Sequence, residues 1–244
     1  MRKFFMRNIT FIISLLIFFP SFSQDIFFEK ADQFFTNYVN GGLVDYAKII
    51  ENESDISELK DLIKVYNLDT ASQDRKKAFL INAYNLLVVE QILGFYPLTS
   101  PKEIPGFFDM VGFTVAGEVT TLDGLENNLL LAAFPDARLH FMLVCAANGC
   151  PPIANYAYLP FELEEQLKAR TEEILGINWY IRVNKDKVAI SKVFDWYQDH
   201  FLDEAESVLS FINKYRLLKI PADHPIEYYE YDWTLNDVER GSRY

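Results

Sequence analysis

The segment RKKAFLINAYNLLVVEQILG, residues 75–94, constrains the fold of this 244-residue chain more than any other stretch. From Ala78 to Leu93 it is apolar nearly all the way round. A helix of that kind has no solvent face and belongs inside a large core. Gly94 and Pro97 mark its end. Two amides interrupt it, Asn82 and Asn85, three residues apart and so on one face. A buried amide without partners costs about 1–3 kcal/mol, so each must meet a definite polar group. One expectation is that they peg the backbone of neighbouring loops. The other is that one of them orients a catalytic group.

Around this helix the chain is organised in short elements. Phe27, Phe28, Ala31, Phe34, Phe35 and Tyr38 follow helical spacing, with Gly41-Gly42 as a stop. SDISELKDLIKVYNL, YLPFELEEQLKARTEEIL, SKVFDWYQDHF and DEAESVLSFINKYRLL read as further helices, the third capped by Ser191. Phe113–Val115 and Glu118–Thr120 read as strands joined at Ala116-Gly117, and NWYIRV and KVAI as a second pair around NKDK. The tail PIEYYEYDWTLN is aromatic and extended and is expected to wrap the core. The fold class is α+β, a mainly helical single domain with a small, largely antiparallel central sheet. Asp123 stands three residues before Glu126 at the start of an apolar run, the spacing of a capping-box variant.

Residues 1–23 read as a signal peptide. Arg2, Lys3 and Arg7 precede an apolar stretch, and Ser21 and Ser23 are small residues at cleavage-type positions. The apolar run is short for a span of about 20 residues. The expected product is an exported periplasmic or secreted domain, residues 24–244, with no stable membrane span after cleavage. Removing three bases from a net charge of −12 leaves −15. That argues against a sequence-independent nucleic-acid binder, which needs a basic face. No GxGxxG, Walker or GxSxG motif is present, and no cofactor is expected.

The reactive side chains concentrate in HFMLVCAANGCPP, residues 140–152, which holds both cysteines and one of three histidines. RLHFMLVC is a continuous apolar run and reads as a buried strand. Alternation along a strand would put His140 and Cys145 on opposite faces. Asn148-Gly149 is a turn signal that can return Cys150 to either face. Two cysteines flanking a turn suit a disulfide in an exported protein. They equally suit a catalytic thiol activated by an imidazole. A metal site is disfavoured, because paired CxxC knuckles are absent. His200 and His224 stand alone; either could serve as the base if the fold brings it near, but each is more at home as a surface or packing residue.

FLINAYNLLVVEQIL, TLDGLENNLL, DARLHFMLVCAANGCPPI, ISKVFDWYQDHF and YDWTLN occur in that order. Together they resemble the bacterial exported members of the domain-of-unknown-function 547 family, from about Val44 to Asn236. The resemblance singles out Asn82, Tyr84, Asn85, Glu126, Arg138, His140, Cys145, Cys150 and Pro151. Phe79 stands where that family often has tryptophan, and His200 where it more often has aspartate.

Gathering those segments would build a cysteine-protease-like constellation. The leading expectation is therefore a thiol-dependent hydrolase or acyl transferase acting on an amide-type bond. Cys150, or else Cys145, would be the nucleophile and His140 the base, oriented by Glu126 or Asn82. Tyr84, Asn85, Arg138 and Asn148 would contact a small-molecule or peptide substrate, and the AANGC backbone would supply oxyanion donors. The alternative is a non-catalytic periplasmic binding or scaffold module. In it a Cys145–Cys150 disulfide locks the turn, and Asn82, Asn85 and His140 are buried pegs.

Overall fold

The computed structural model describes residues 21–241, with side chains from Asp25 onward. The leader-like segment therefore lies almost wholly outside the described residues. Helix α1, Ser21–Tyr38, runs into a two-residue hairpin of β1, Val39–Asn40, and β2, Leu43–Val44. Gly41 and Gly42 turn it with φ of 57° and 81°, the left-handed conformation that such tight hairpins need. A side chain on Gly42 would also strike Pro152 at 2.3 Å. Helices α2, Tyr46–Glu51, and α3, Glu53–Val65, lead to α4, Gln73–Leu93.

Helix α4 is the buried centre that its sequence demands. Fourteen of its residues, from Ala78 to Ile92, are shielded from solvent. Ser72 caps its start by accepting the Arg75 N–H. Buried side chains from α1 through to the tail pack on it as one continuous apolar cluster. Such burial, at about 25 cal/mol per Å² of apolar surface, is the main stabilising term.

The strands are short and fall into three small sheets. β3, Phe113–Val115, pairs antiparallel with β4, Glu118–Thr120, through a turn at Ala116 and Gly117, both left-handed. β5, Ile181–Val183, pairs antiparallel with β6, Val188–Ile190, and β6 pairs in parallel with β7, Ile226–Tyr228. Helices α5, Leu163–Gly176, α6, Val193–Trp196, α7, Gln198–Glu204, and α8, Val208–Tyr215, complete the helical layer. Among the described residues, no helix is long and apolar enough to cross a membrane.

Two local expectations are overturned. RLHFMLVC is not a strand. Ala137–Phe141 form a 3₁₀ turn, and the chain runs irregularly from there to Cys145. It is buried as expected, but its polar backbone is satisfied by a side chain instead of a neighbouring strand: Asn85 Nδ2 donates to the Met142 carbonyl at 2.9 Å, and its Oδ1 accepts the Val144 N–H at 3.0 Å. The alternation that would have separated His140 from Cys145 therefore does not apply. The capping box is also absent. Thr121 Oγ1, not Asp123, accepts the free Gly124 N–H, and Asp123 binds the Asn127 side chain.

Candidate functional site

A cavity of about 330 Å³ draws the residues singled out in the sequence from four of the segments that line it. The first is α4, which sends Tyr84 into it. The second is Gly124–Leu131, wound as a π-helix, with the Ala132 N–H reaching back five residues to the Asn127 carbonyl. This wider winding is common at functional sites. Glu126 is only 8 % exposed and lines the cavity. Its Oε1 accepts from the Tyr197 hydroxyl at 3.0 Å, and Tyr84 also hydrogen-bonds to it. Burial raises the Glu126 pKa above the usual carboxyl range; the two tyrosines pull against this without cancelling it.

The third segment is the 3₁₀ turn. With about three residues per turn, side chains two apart leave on different sides. His140 goes inward and Arg138 outward. His140 stacks on Tyr197 at 3.9 Å between ring centres, and its Nε2 lies 2.8 Å from His200 Nδ1. One ring donates and the other accepts. Burial, reinforced by the neighbouring His200, lowers the His140 pKa to about 3, so it is neutral at pH 7. Arg138 is outside the cavity. It grips Asp136 and Glu164 through four side-chain bonds of 2.6–2.9 Å, and Lys77 reaches Asp136 from the other side.

The fourth segment is the cysteine turn. Cys145 and Cys150 are joined, with an S–S distance of 2.04 Å, and no free cysteine remains. The Tyr231 hydroxyl lies 3.0 Å from each sulfur. Ala146 adopts a left-handed φ of 57°, and the Cys150 N–H closes the turn on the Ala147 carbonyl. The tail then lies along it. The Asn148 N–H donates to Thr234 O and the Gly149 N–H to Asp232 O, both at 2.8 Å. Gly149 is required here, because a Cβ would come within 2.9 Å of the Tyr231 ring and the Asp232 backbone.

These contacts correct the hydrolase expectation. A disulfide sulfur is no thiolate nucleophile. Of the AANGC amides expected to hold an oxyanion, those of Asn148 and Gly149 are bonded to the tail and that of Cys150 to the Ala147 carbonyl. Neither asparagine of α4 lines the cavity. Asn82 clamps one peptide, donating to the Tyr158 carbonyl at 2.8 Å and accepting the Tyr158 N–H at 3.0 Å. The Asn85 amide is taken up by the loop described above. Of the residues singled out in the sequence, the structure brings together Tyr84, Glu126, His140, Cys145, Cys150 and Pro151 at the cavity, and leaves Asn82, Asn85, Arg138 and Asn148 outside its lining. Among the described residues, no group of three or more His, Cys, Asp or Glu side chains is placed to hold a metal ion.

Sequence reasoning missed the aromatic wall. Trp196, Tyr197, Tyr231 and Trp233 all line the cavity. Tyr231 sits 4.8 Å from both Trp196 and Trp233, centre to centre. Their density in DWYQ and YEYDW was the available signal. His200, expected to be a surface or packing residue, is the partner of the His140 ring.

Residues 68–175 match the family model of DUF547, a protein of unknown function. The matched stretch carries α4, the π-helix, the 3₁₀ turn and both cysteines. The wall supplied by Trp196, Tyr197, Tyr231 and Trp233 lies beyond it. No curated protein and no solved structure matches the chain.

Proposed function

We propose that this chain is a non-catalytic binding module whose ligand site is the cavity between α4, the π-helix and the tail. The observation that carries this reading is the disulfide. It removes both candidate nucleophiles, and with Tyr231 it fixes the turn that forms one side of the cavity. A second support is that the asparagines act as backbone pegs, as they would in a scaffold that holds a site open. The volume is at the lower end of the range for small-molecule pockets, about 300–1,000 Å³. Export is part of the same proposal and rests on the sequence of residues 1–23 alone.

The test is thiol labelling of the folded, unreduced protein with iodoacetamide, read by intact mass. No adduct is expected. Rapid alkylation of either sulfur without denaturant or reductant would overturn this reading.

A further inference from the structure

We propose that the cavity receives a small organic cation, an amine or quaternary ammonium group, seated between Glu126 and the wall of Trp196, Tyr231 and Trp233. This rests on the binding-module reading and names the ligand class for that same site.

The charge of the lining carries the inference. Glu126 and Asp123 both face the cavity, and among the described residues no lysine or arginine lines it. Arg138, two residues from the inward-facing His140, is committed elsewhere: it is bonded to Asp136 and Glu164 on the other side of the 3₁₀ turn, where Lys77 also holds Asp136. Tyr84 and Tyr197 give Glu126 hydrogen bonds but no compensating positive charge. An anion entering beside Glu126 would meet two carboxyl groups, while Lys102, the lysine that reaches the wall, lies over the Trp233 ring. A cation would supply the missing charge.

The walls point to the same class. Electron-rich aromatic faces attract ammonium groups within about 6 Å of the ring centre, and tryptophan does so best. The protein itself provides an instance at this wall, since Lys102 Nζ lies 4.3 Å over the Trp233 ring. Trp196 is 47 % exposed despite its size, so one face of the wall is open to an incoming group. Aromatic walls with a carboxylate beside them favour a charged, weakly hydrated nitrogen over a neutral ligand, which gains only the stacking contact.

Calorimetric titration of the oxidised full chain near neutral pH tests this with three probes. These are choline, its uncharged isostere 3,3-dimethylbutan-1-ol, and methyl glucoside as a neutral stacking ligand. Choline is expected to bind at least about tenfold more tightly than the isostere, corresponding to about 1.4 kcal/mol. Glu126→Gln keeps the shape and an acceptor for Tyr197, and should weaken choline about tenfold while leaving the isostere unchanged. Trp196→Ala, at a partly exposed site, should weaken choline about threefold to tenfold without altering the unfolding midpoint. Equal binding of choline and the isostere, tighter binding of the glucoside, or indifference of choline to Glu126→Gln would each overturn the cation assignment. Silence from all three probes would overturn it as well. The binding-module reading is judged separately, by the thiol labelling, so the two can fail independently.

Discussion

The two sides of the 3₁₀ turn, Ala137–Phe141, handle polar groups in opposite ways. On the outer side Asp136, Arg138, Lys77 and Glu164 are ionised and paired. Burial works against the Asp136 carboxylate, yet the bonds from Arg138 and Lys77 outweigh it and hold its pKa at about 2. On the inner side His140, Tyr84 and Tyr197 are kept neutral, and Glu126 is pushed toward its neutral form. The outer cluster is electrically complete and needs nothing further. The inner one is satisfied in hydrogen bonds but has no cation beside Glu126, and it faces an open cavity. Completeness of charge separates a structural polar cluster from one that can take a ligand.

Acid should distinguish the two sides most sharply. A histidine whose folded pKa is depressed contributes stability that is fully present above its unfolded value, near 6.5, and is lost as pH falls toward about 3. Unfolding measured by urea titration should therefore lose about 1.4 kcal/mol per pH unit below 6.5 from His140, approaching about 4–5 kcal/mol. Glu126, with its raised pKa, opposes this, since its contribution is largest in acid and is lost as pH rises through its folded value. The slope specific to His140 is thus the difference between the wild type and His140→Gln. Asp136 acts later: its share, about 2 kcal/mol, is present above pH 4 and lost on the way down to about pH 2. If His140→Gln left the profile between pH 6.5 and 4 unchanged, the inner side would not be the neutral cluster described.

Asn85→Ala would break the comparison at its base, because Asn85 holds the loop that follows the turn. Removing it strands the Met142 carbonyl and the Val144 N–H away from water. The expected loss is about 2–4 kcal/mol, with the denaturant slope unchanged. A loss below about 1 kcal/mol would show that the loop does not depend on this peg. Replacing both cysteines by serine should cost about 2 kcal/mol, the scale for a closed loop this short. It should also weaken any ligand of the cavity, since the turn is then held by the tail alone. Arg138→Met should have the smallest effect, about 1 kcal/mol or less, because Lys77 still covers Asp136 and Glu164 is mostly exposed. Ligand affinity should not change. A large change would mean that the two sides are coupled through the turn.

Much of the framework was legible in the sequence for local reasons. Periodicity marks α1, α4 and α8, and Ala116-Gly117 marks the hairpin, because helices and tight turns are decided by residues close together. The burial of Asn82 and Asn85 was legible too, since an amide inside an all-apolar helix has nowhere else to be. The backbone of residues 138–145 was not. An apolar run shows burial, but whether a strand neighbour or a pair of amides satisfies it depends on what packs alongside, here Asn85 from 59 positions away. The site was half legible for the same reason. Residues of the central motifs were found, while the wall from Trp196, Tyr231 and Trp233 arrives by long-range closure. The pairing of the cysteines was open in the sequence, because spacing permits a disulfide without requiring it.

The way the tail lies on the cysteine turn has a consequence for when the site exists. Tyr231, Trp233, and the carbonyls of Asp232 and Thr234 all come from one short segment, residues 231–234. The cavity is thus complete only once residues 231–234 have docked on the turn. A chain terminated at Tyr228 would retain the central helix and the cysteine turn but would present an open trough in place of a site, which makes ligand binding a readout of whether this segment is docked.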